Sequence, residues 1–400
     1  MEKPVVTMPS NARSSFLISY SVWHGSESFQ TVLFAWYVGV YLQLDSSTFG
    51  MLQALNLAPF VFLVVFFGFL SDKIGAQKVF LSGAALFSVS LVLFSVYLPE
   101  KSDDFELVPI ILFCILSGVS SALCNPSADT FIPQLRGDGG PESTLVASRA
   151  ANLGKIGAAT LAIGITLTSP RWSFLANSAM IVFSIYFFAK FLALKKRFNI
   201  ELKSSNVNTP SLDSNIIALI VRTRSFLAVS FLFGMFIVPM VYMTWALISN
   251  HLEDVGKGGP FALVFVAFWI SSVISTQFSI GWRGNRKNLV LGLLSFLTLS
   301  VMFLHMVENF SSLLVAVFVF GLSLGPIKPI FYSRFLERCT ESYRGTMIAV
   351  DQLVFWGTAV VGSLFLGRVS EFGASTGAAV CAALFFVGML AVIFSSDIFD

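Results

Sequence analysis

The chain has 400 residues, of which 56% are hydrophobic and only 12% are charged. Its mean hydropathy is +0.81, whereas soluble domains carry about 25% charged residues. One water-soluble core of this length could not bury so much apolar surface, so the composition excludes a soluble protein and predicts one that resides in the lipid bilayer. The net charge of only +3 gives no support to a nucleic-acid partner.

The cysteines and the absent motifs argue against catalysis. Cys114, Cys124, Cys339 and Cys381 lie far apart in apolar segments. We therefore expect small buried side chains, with neither disulfides nor a metal site. The sequence contains no H-E-x-x-H, G-x-S-x-G or G-x-x-x-x-G-K-[ST] motif, so we expect no enzyme, no cofactor and no ATP-driven pump built from this chain alone.

Apolar runs of about 20 residues predict membrane-spanning helices. In chain order there are twelve, at 16–43, 48–71, 77–98, 107–133, 145–168, 171–194, 224–249, 259–281, 287–307, 309–335, 345–367 and 374–396. The predicted fold is an all-α membrane protein, with two pseudo-symmetric six-helix bundles around a central cavity.

The charges between these runs predict the orientation. If both termini are cytoplasmic, the inner side carries about 19 of the 25 Lys and Arg residues, because positive charge collects on the cytoplasmic side. We therefore predict a multi-pass protein of the cytoplasmic membrane with both termini inside, and we expect a monomer.

A polar stretch divides the chain into two halves. Residues 195–223 include Ser204-Ser205-Asn206-Val207-Asn208-Thr209-Pro210, which cannot bury itself and is typical of a flexible linker. We predict a first bundle over 1–194, this cytoplasmic linker, and a second bundle over 224–400.

Glycines at matching positions indicate an internal repeat. Gly118 and Pro126 match Gly321 and Pro329 at the same spacing, and without a gap Gly154 then falls on Gly357. Gly83 corresponds to Gly292 at an offset that is six residues larger. Two repeats packed around a midplane cavity are typical of an alternating-access transporter.

The segment Gly68-Phe69-Leu70-Ser71-Asp72-Lys73-Ile74-Gly75-Ala76-Gln77-Lys78 follows the second run. It resembles the G-x-L-x-D-x-x-G-x-x-K/R loop of major facilitator superfamily transporters. A degenerate copy stands at 281–287, and Tyr343-Arg344-Gly345 opens span eleven. The resemblance covers essentially the whole chain and implies the twelve-helix fold of that superfamily.

A second resemblance is narrower. The run Asn125-Pro126-Ser127-Ala128-Asp129-Thr130-Phe131-Ile132-Pro133-Gln134-Leu135, followed by Ala151-Asn152, resembles the branch that holds macrolide-efflux, siderophore-exporter and lysophospholipid-transporter proteins. Span five departs from the G-P-x-x-G-G motif of many antiporters of the family, because it lacks the proline and contains Lys155.

Charged side chains inside spans are the first candidates for function, because each costs about 2.5–3.5 kcal/mol to insert. His24 and Glu27 lie one helical turn apart in span one, with Gln30 following, and Lys155 lies at similar depth in span five with Asn152 on its face. This pattern predicts a His24/Glu27–Lys155 cluster in which Glu27 couples transport to protons. The alternative is a permanent structural ion pair between two helices.

Two further groups of polar residues lie in the spans. Lys328, between two prolines, and Asp351 are equally compatible with a substrate site and with a structural ion pair. Ser121, Asn125 and Asp129 recur every fourth residue and form a polar stripe that could line the cavity. For Asp129 we expect a bond to Arg136 or Arg149 rather than to substrate.

The aromatic residues leave two interpretations open. They could stack on a cargo, but packing is the favoured role for the whole set, which comprises Trp23, Trp36, Tyr37, Tyr242, Trp245, Trp269 and Trp356. Trp36 and Tyr37 could also be anchors at the membrane interface, as is expected of Trp172.

The leading functional hypothesis is a secondary exporter of a small amphipathic organic molecule, driven by proton antiport. The two lysines within spans hint at an anionic cargo. A flippase for lysophospholipid or a similar lipid is the alternative within transport, and a non-transporting receptor or scaffold is the alternative from another class. The expected partners are the bilayer, the small-molecule substrate and protons.

The loop with Gly68, Asp72, Gly75 and Lys78 is predicted to act with Arg344 as an interdomain latch that gates the cytoplasmic side. Asp72→Asn should then impair transport while membrane abundance stays near normal, because it removes a charge and keeps the shape. Transport and abundance can be measured together in vesicles, and undiminished transport would mean that the loop only sets topology.

Overall fold

The computed structural model describes residues 8–98, 106–135, 141–165, 169–197, 220–240, 259–281, 285–305, 309–338, 344–370 and 374–395. The regular structure within these ranges is entirely helical. This confirms the predicted fold class.

Most of the described part of the chain lies in thirteen α-helices. They are α1 (Ser10–Ala35), α2 (Ser46–Ile74), α3 (Ala76–Val96), α4 (Val108–Asp129), α5 (Pro141–Ile165), α6 (Pro170–Arg197), α7 (Arg224–Leu232), α8 (Gly259–Gly281), α9 (Arg286–His305), α10 (Phe310–Leu324), α11 (Ile327–Arg338), α12 (Arg344–Ser370) and α13 (Ala374–Ser395).

Apolar segments in lipid form helices because every backbone polar group there needs a hydrogen-bond partner within the protein. Within the described ranges, five helices are long and apolar enough to cross a membrane, at Ser47–Val64, Ala76–Val96, Val108–Asp129, Pro170–Arg197 and Val350–Val369. Five shorter apolar helices occur in addition.

The turn between α2 and α3 is shorter than the sequence suggests. The predicted loop Gly68–Lys78 is helical up to Ile74 and again from Ala76, so a single residue reverses the chain. Gly75 makes this possible because its φ of 96° lies in a region that side chains other than glycine rarely adopt. Its carbonyl accepts a hydrogen bond from the Lys78 amide at 3.0 Å, which starts the next helix.

Three spans contain an irregular turn. A π-helical segment at Trp36–Tyr41 extends α1, and another at Phe233–Ile237 extends α7. The predicted tenth span, 309–335, consists of α10 and α11, which are separated at Gly325-Pro326 because proline cannot continue the hydrogen-bond ladder. Pro326 lies at this break, whereas Pro329 lies in the first turn of α11.

The chain leads from α1 into α2 through a capped turn. Asp45 accepts hydrogen bonds from the Thr48 amide at 2.9 Å and from the Thr48 hydroxyl at 2.6 Å. The Thr48 hydroxyl holds the pKa of the Asp45 carboxyl below its usual value. Asp45 therefore acts as the N-cap of α2.

Helix packing in the two halves follows a common plan. In the first half α1 packs on α5 and α6, α2 packs on α4, and α3 packs on α4 and α6. In the second half α8 packs on α10, α9 packs on α10 and α13, and α12 packs on α7 and α13.

One pair of the repeated glycines has equivalent surroundings. A Cβ added to Gly118 of α4 would lie 2.0 Å from the Asn56 carbonyl oxygen of α2, and one added to Gly321 of α10 would lie 2.5 Å from the Phe268 carbonyl oxygen of α8. The two halves therefore contain the same close crossing. The other two pairings lack this equivalence, because a Cβ on Gly292 would meet nothing within 4 Å and one on Gly357 would reach only Val61.

The two halves contact each other along two helix pairs. Helix α5 packs on α8, and α2 packs on α12. In the second pair the rings of Phe60 and Trp356 lie 5.1 Å apart.

The ends of the predicted linker are helical where they are described. Helix α6 continues to Arg197, three residues beyond the predicted bundle, and the chain is helical again at 220–222. Residues 198–219, with the Ser- and Asn-rich run, lie outside the described residues.

The burial of the aromatic and cysteine side chains bears on the roles predicted for them. Trp36 is 7% exposed and Tyr37 is fully buried, so the interpretation of these two as interfacial anchors is wrong and packing accounts for them. Trp172 is 64% exposed, as an anchor requires. Cys114, Cys124 and Cys381 are buried, as predicted. Cys339, Tyr242 and Trp245 lie outside the described residues.

A steric prediction follows from the crossing of α1 and α5. A Cβ on Gly154 would lie 1.8 Å from the Ser21 carbonyl oxygen, whereas one on Gly157, three residues later in α5, would meet nothing within 4 Å. Gly154→Ala should destabilise the protein by about 1–3 kcal/mol or more, because the two backbones must move apart.

Thermal unfolding in detergent measures this difference. Gly157→Ala is the matched control, which should be neutral or slightly stabilising because alanine favours helices. Equal unfolding temperatures for the two variants would contradict the close crossing.

Candidate functional site

Helix α1 presents a row of polar side chains towards α4. Tyr20, Trp23, Glu27 and Gln30 lie three or four residues apart and share a helix face. Their partners run in the opposite direction along α4 at four-residue intervals, as Asp129, Asn125, Ser121 and Ser117. We refer to these eight residues as the polar ladder.

Glu27 is the charged centre of the polar ladder. One of its carboxyl oxygens, Oε1, accepts hydrogen bonds from Asn125 Nδ2 at 3.0 Å and from the Ser121 hydroxyl at 3.2 Å. The other, Oε2, lies 3.0 Å from His24 Nδ1. Only 22% of the Glu27 side chain is exposed, so these contacts replace the water that a carboxyl group would otherwise bind.

Trp23 determines which way the Asn125 amide points. The indole nitrogen can only donate, and it donates to Asn125 Oδ1 at 2.8 Å. The Asn125 Nδ2 group is therefore turned to Glu27 as a donor. A buried aromatic residue thus orients the amide that holds the carboxyl group.

Two further bonds complete the polar ladder at its ends. The Tyr20 hydroxyl donates to Asp129 Oδ1 at 3.0 Å, and Gln30 Nε2 donates to the Ser117 hydroxyl at 2.6 Å. The ring of His24 lies edge-on to Tyr20, with 4.4 Å between the ring centroids. Hydrogen-bonding groups therefore follow one another from Gln30 to Asp129.

Lys155 lies beside this row but bonds elsewhere. Its ammonium nitrogen sits 4.5 Å from the centre of the Trp269 ring, which belongs to α8 of the second half. It interacts electrostatically with Glu27, yet among the described residues the two do not form an ion pair. The structure thus brings His24, Glu27 and Lys155 to one region without the direct contact that the sequence predicts.

The backbone crossing of α1 and α5 explains this position. A Cβ on Gly25 would lie 2.7 Å from the Gly154 carbonyl oxygen. Because Gly25 follows His24 and Gly154 precedes Lys155, the closest approach of the two helices brings both side chains to the same depth. Asn152, also on α5, is half-buried one turn before Lys155.

The second half holds a buried acid of its own. Asp351 of α12 is 4% exposed and accepts a hydrogen bond from the Ser230 hydroxyl of α7. Both line a cleft with a mainly aromatic wall, which consists of Phe226, Val229, Phe233, Phe331, Tyr332 and Phe335. The side chain of Lys328 lies outside the described residues, so a Lys328–Asp351 pair stays a prediction.

The family of the chain is identified by its similarity to known proteins. The sequence profile of the Major Facilitator Superfamily matches residues 16–359, which is most of the chain. The chain belongs to the Major Facilitator Superfamily. It is therefore a transporter, and the first of the two sequence resemblances is confirmed.

Solved structures share the fold of this superfamily member. A crystal structure of a mutant of the nucleoside transporter NupG has a TM-score of 0.72 at 14% identity, with 96% of this chain and 98% of that chain covered. A second crystal structure of NupG has a TM-score of 0.66 at 13% identity, with 96% and 97% covered. No curated protein sequence matches the chain. At these identities the likeness shows the fold alone.

Several residues of the predicted gating loop are only partly described. The backbones of Gly68 and Asp72 lie in the last turns of α2, and that of Arg344 begins α12, but the Asp72 and Arg344 side chains lie outside the described residues. Lys78 is exposed on the first turn of α3. The latch between Asp72 and a cation therefore stays a prediction.

One predicted partner is wrong, and some partners were missed. Arg149 does not bind Asp129, because its guanidinium donates to Gln277 of α8 at 2.9 Å, and Arg136 lies outside the described residues. Tyr20 and Ser117 were not singled out from sequence as ladder partners. Tyr20 does lie one helical turn before His24, which is a signal that could have found it.

Removing the Tyr20 hydroxyl tests the end of the polar ladder. Tyr20→Phe should lower the free energy of unfolding by about 1–3 kcal/mol near neutral pH, because the partly buried Asp129 carboxyl loses its donor. Thermal and denaturant unfolding in detergent measure this loss.

Tyr186→Phe makes the same change on the exposed face of α6, where the ring is 60% exposed. It should change stability by less than about 0.5 kcal/mol. A loss as small for Tyr20→Phe would show that its hydroxyl does not stabilise the fold.

Proposed function

We propose that the chain is a secondary active transporter that moves a small amphipathic organic molecule by alternating access and couples this movement to protons through Glu27. The observation that supports the proposal is the environment of Glu27. This residue is an acid within a spanning helix, it is held by donors from α4, and Lys155 lies within electrostatic range.

The surroundings of Glu27 suit a group that gains and loses a proton. Ser121 and Asn125 donate to one carboxyl oxygen, while the other faces His24, whose ring can donate or accept. A carboxylate keeps all three contacts, and a protonated acid can keep them if His24 Nδ1 becomes the acceptor. Either form can therefore keep its hydrogen bonds to Ser121, Asn125 and His24, although the buried His24 Nε2 has no partner among the described residues.

The proposed alternating access requires contacts between the two halves that can form and separate. Helix pair α5–α8 is joined by Lys155 with Trp269 and by Arg149 with Gln277, and pair α2–α12 by Phe60 with Trp356. These contacts lie at mid-depth and towards the predicted cytoplasmic side. We propose that they close this side, and that they separate when two rigid bundles rock to expose the site.

The finer points of the proposal rest on sequence. The resemblance of 125–135 to exporters favours export as the direction, and the charge distribution favours cytoplasmic termini in a cell membrane. The proposed units are the bundles 1–194 and 224–400, joined by the linker 195–223, and the proposed state is a monomer.

Proteoliposomes with an imposed pH gradient test the coupling. Flux of a panel of fluorescent amphipathic compounds should depend on the gradient, and Glu27→Gln should reduce this dependence about tenfold or more with normal reconstitution. Glutamine keeps the size and hydrogen bonding of the side chain but cannot exchange a proton.

Glu106→Gln is the matched control, because Glu106 is exposed before α4 and should leave the gradient dependence unchanged. Flux that survives collapse of the gradient by nigericin would rule out proton coupling and favour the lipid flippase. Absence of flux for every compound, together with ligand binding, would favour the receptor.

A further inference from the structure

Lys155 has an unusual environment for a lysine inside a membrane protein. The ammonium group lies on the face of Trp269, 4.5 Å from the ring centre, where the first half meets the second. Within the described ranges it has no hydrogen bond to an oxygen and no ion pair. Helix α8, which supplies Trp269, contains no charged residue at all.

Trp269 itself carries a second unused donor, which lies in the plane of the ring. Its indole nitrogen is buried, and no group in the described part of the chain accepts its hydrogen bond. Lys155 and Trp269 thus offer an ammonium and an N–H from opposite halves of the molecule. An oxyanion is the chemical group that both donors recognise, and the indole face suits an adjoining apolar body.

The charge of Lys155 is balanced by other groups only at a distance. Glu27 interacts with it electrostatically. The titratable groups that in turn interact with Glu27 are His24 on its own helix, Tyr20 one turn before, and Cys124 and Asp129 on α4. Taken as a pair, a deprotonated Glu27 and a charged Lys155 carry no net charge.

We propose that Lys155 and Trp269 form a binding site for an organic anion, a carboxylate or sulfonate on an apolar body, and that this anion binds together with a proton on Glu27. The inference rests on the proposed proton coupling and names its cargo class. It also predicts that anion and proton move in the same direction, whereas the sequence suggests proton antiport.

Charge balance is the reason for joint binding. An anion added beside Lys155 and an ionised Glu27 leaves one net negative charge in a poorly solvated site, which is unfavourable. Protonation of Glu27 restores neutrality. An anion and a proton therefore favour each other's binding, and by linkage the effect is reciprocal. Antiport would require them to exclude each other, so for an anionic cargo the charges predict cotransport.

Two naphthalene probes separate charge from shape. 2-Naphthalenesulfonate stays anionic at all working pH values, while 2-naphthalenesulfonamide has the same ring and is neutral. Binding to the purified full-length protein in detergent can be followed by calorimetry. The sulfonate should bind about tenfold more tightly at acidic pH than at alkaline pH, and the sulfonamide should show no such preference.

Four variants assign the effect to residues. Lys155→Gln should weaken sulfonate binding about tenfold or more, and Lys155→Arg should restore it, which excludes misfolding as the cause of the loss. Trp269→Phe keeps a ring but removes the N–H, and should weaken the sulfonate more than the sulfonamide. Lys190→Gln, on the exposed face of α6, is the matched control and should bind like the parent.

Glu27→Gln distinguishes the anion site at Lys155 from the proton coupling through Glu27. It imitates the protonated acid, so it should bind the sulfonate tightly at both pH values. If sulfonate binding depends on Lys155 but keeps its pH dependence in Glu27→Gln, the anion site stands and the coupling through Glu27 is wrong. If the parent protein binds both probes equally, or does not bind the sulfonate, the anion site is overturned whatever the gradient dependence of transport.

Discussion

The close crossing of α1 and α5 is the constraint on which the site depends. Gly25 and Gly154 bring the two backbones within reach of each other, and a single methyl group at either position would force them apart. His24 and Lys155 are the residues next to these glycines, so the crossing sets the depth of both. Any outward shift of α5 would also move Lys155 away from Glu27 and change its contact with Trp269. Small residues thus determine the electrostatics of the site because they determine the distance between helices.

The polar ladder shows how a membrane protein can keep an acid inside a helix that the sequence predicts to span the bilayer. Isolated in hydrocarbon, Glu27 would be unfavourable by several kcal/mol, about 2.5–3.5 kcal/mol on insertion scales. Asn125, Ser121 and His24 offset this cost with hydrogen bonds, and Trp23 holds Asn125 in the required orientation. If α1 and α4 shifted, the buried donors that lost Glu27 would themselves be unsatisfied. The carboxyl group and its donors therefore stabilise one relative position of α1 and α4.

The sequence predicts the fold and the unusual residues well, but their partners poorly. Apolar runs and charge asymmetry are one-dimensional signals, which is why the helices could be located. Glu27 and Lys155 stand out because each is a charge within an apolar run. Their partners depend on helix rotation and register, which no local pattern encodes, so Trp269 rather than Glu27 contacts the Lys155 ammonium, and Gln277 rather than Asp129 contacts Arg149. The turn at Gly75 was predicted too long for a related reason, since one residue with positive φ replaces a whole loop.

The Lys155–Trp269 contact suits an interface that opens in the proposed rocking motion. A buried lysine–carboxylate pair is costly to separate, by about 3–5 kcal/mol, because each charge is left without its partner. A cation–π contact is worth about 0.5–2 kcal/mol, and the indole ring needs no countercharge after separation. If the two halves rock as proposed, Lys155 keeps its electrostatic interaction with Glu27, because α1 and α5 both belong to the first half of the chain. The charge balance therefore stays within one half of the molecule, and the contact that crosses to the other half is one that thermal motion can break.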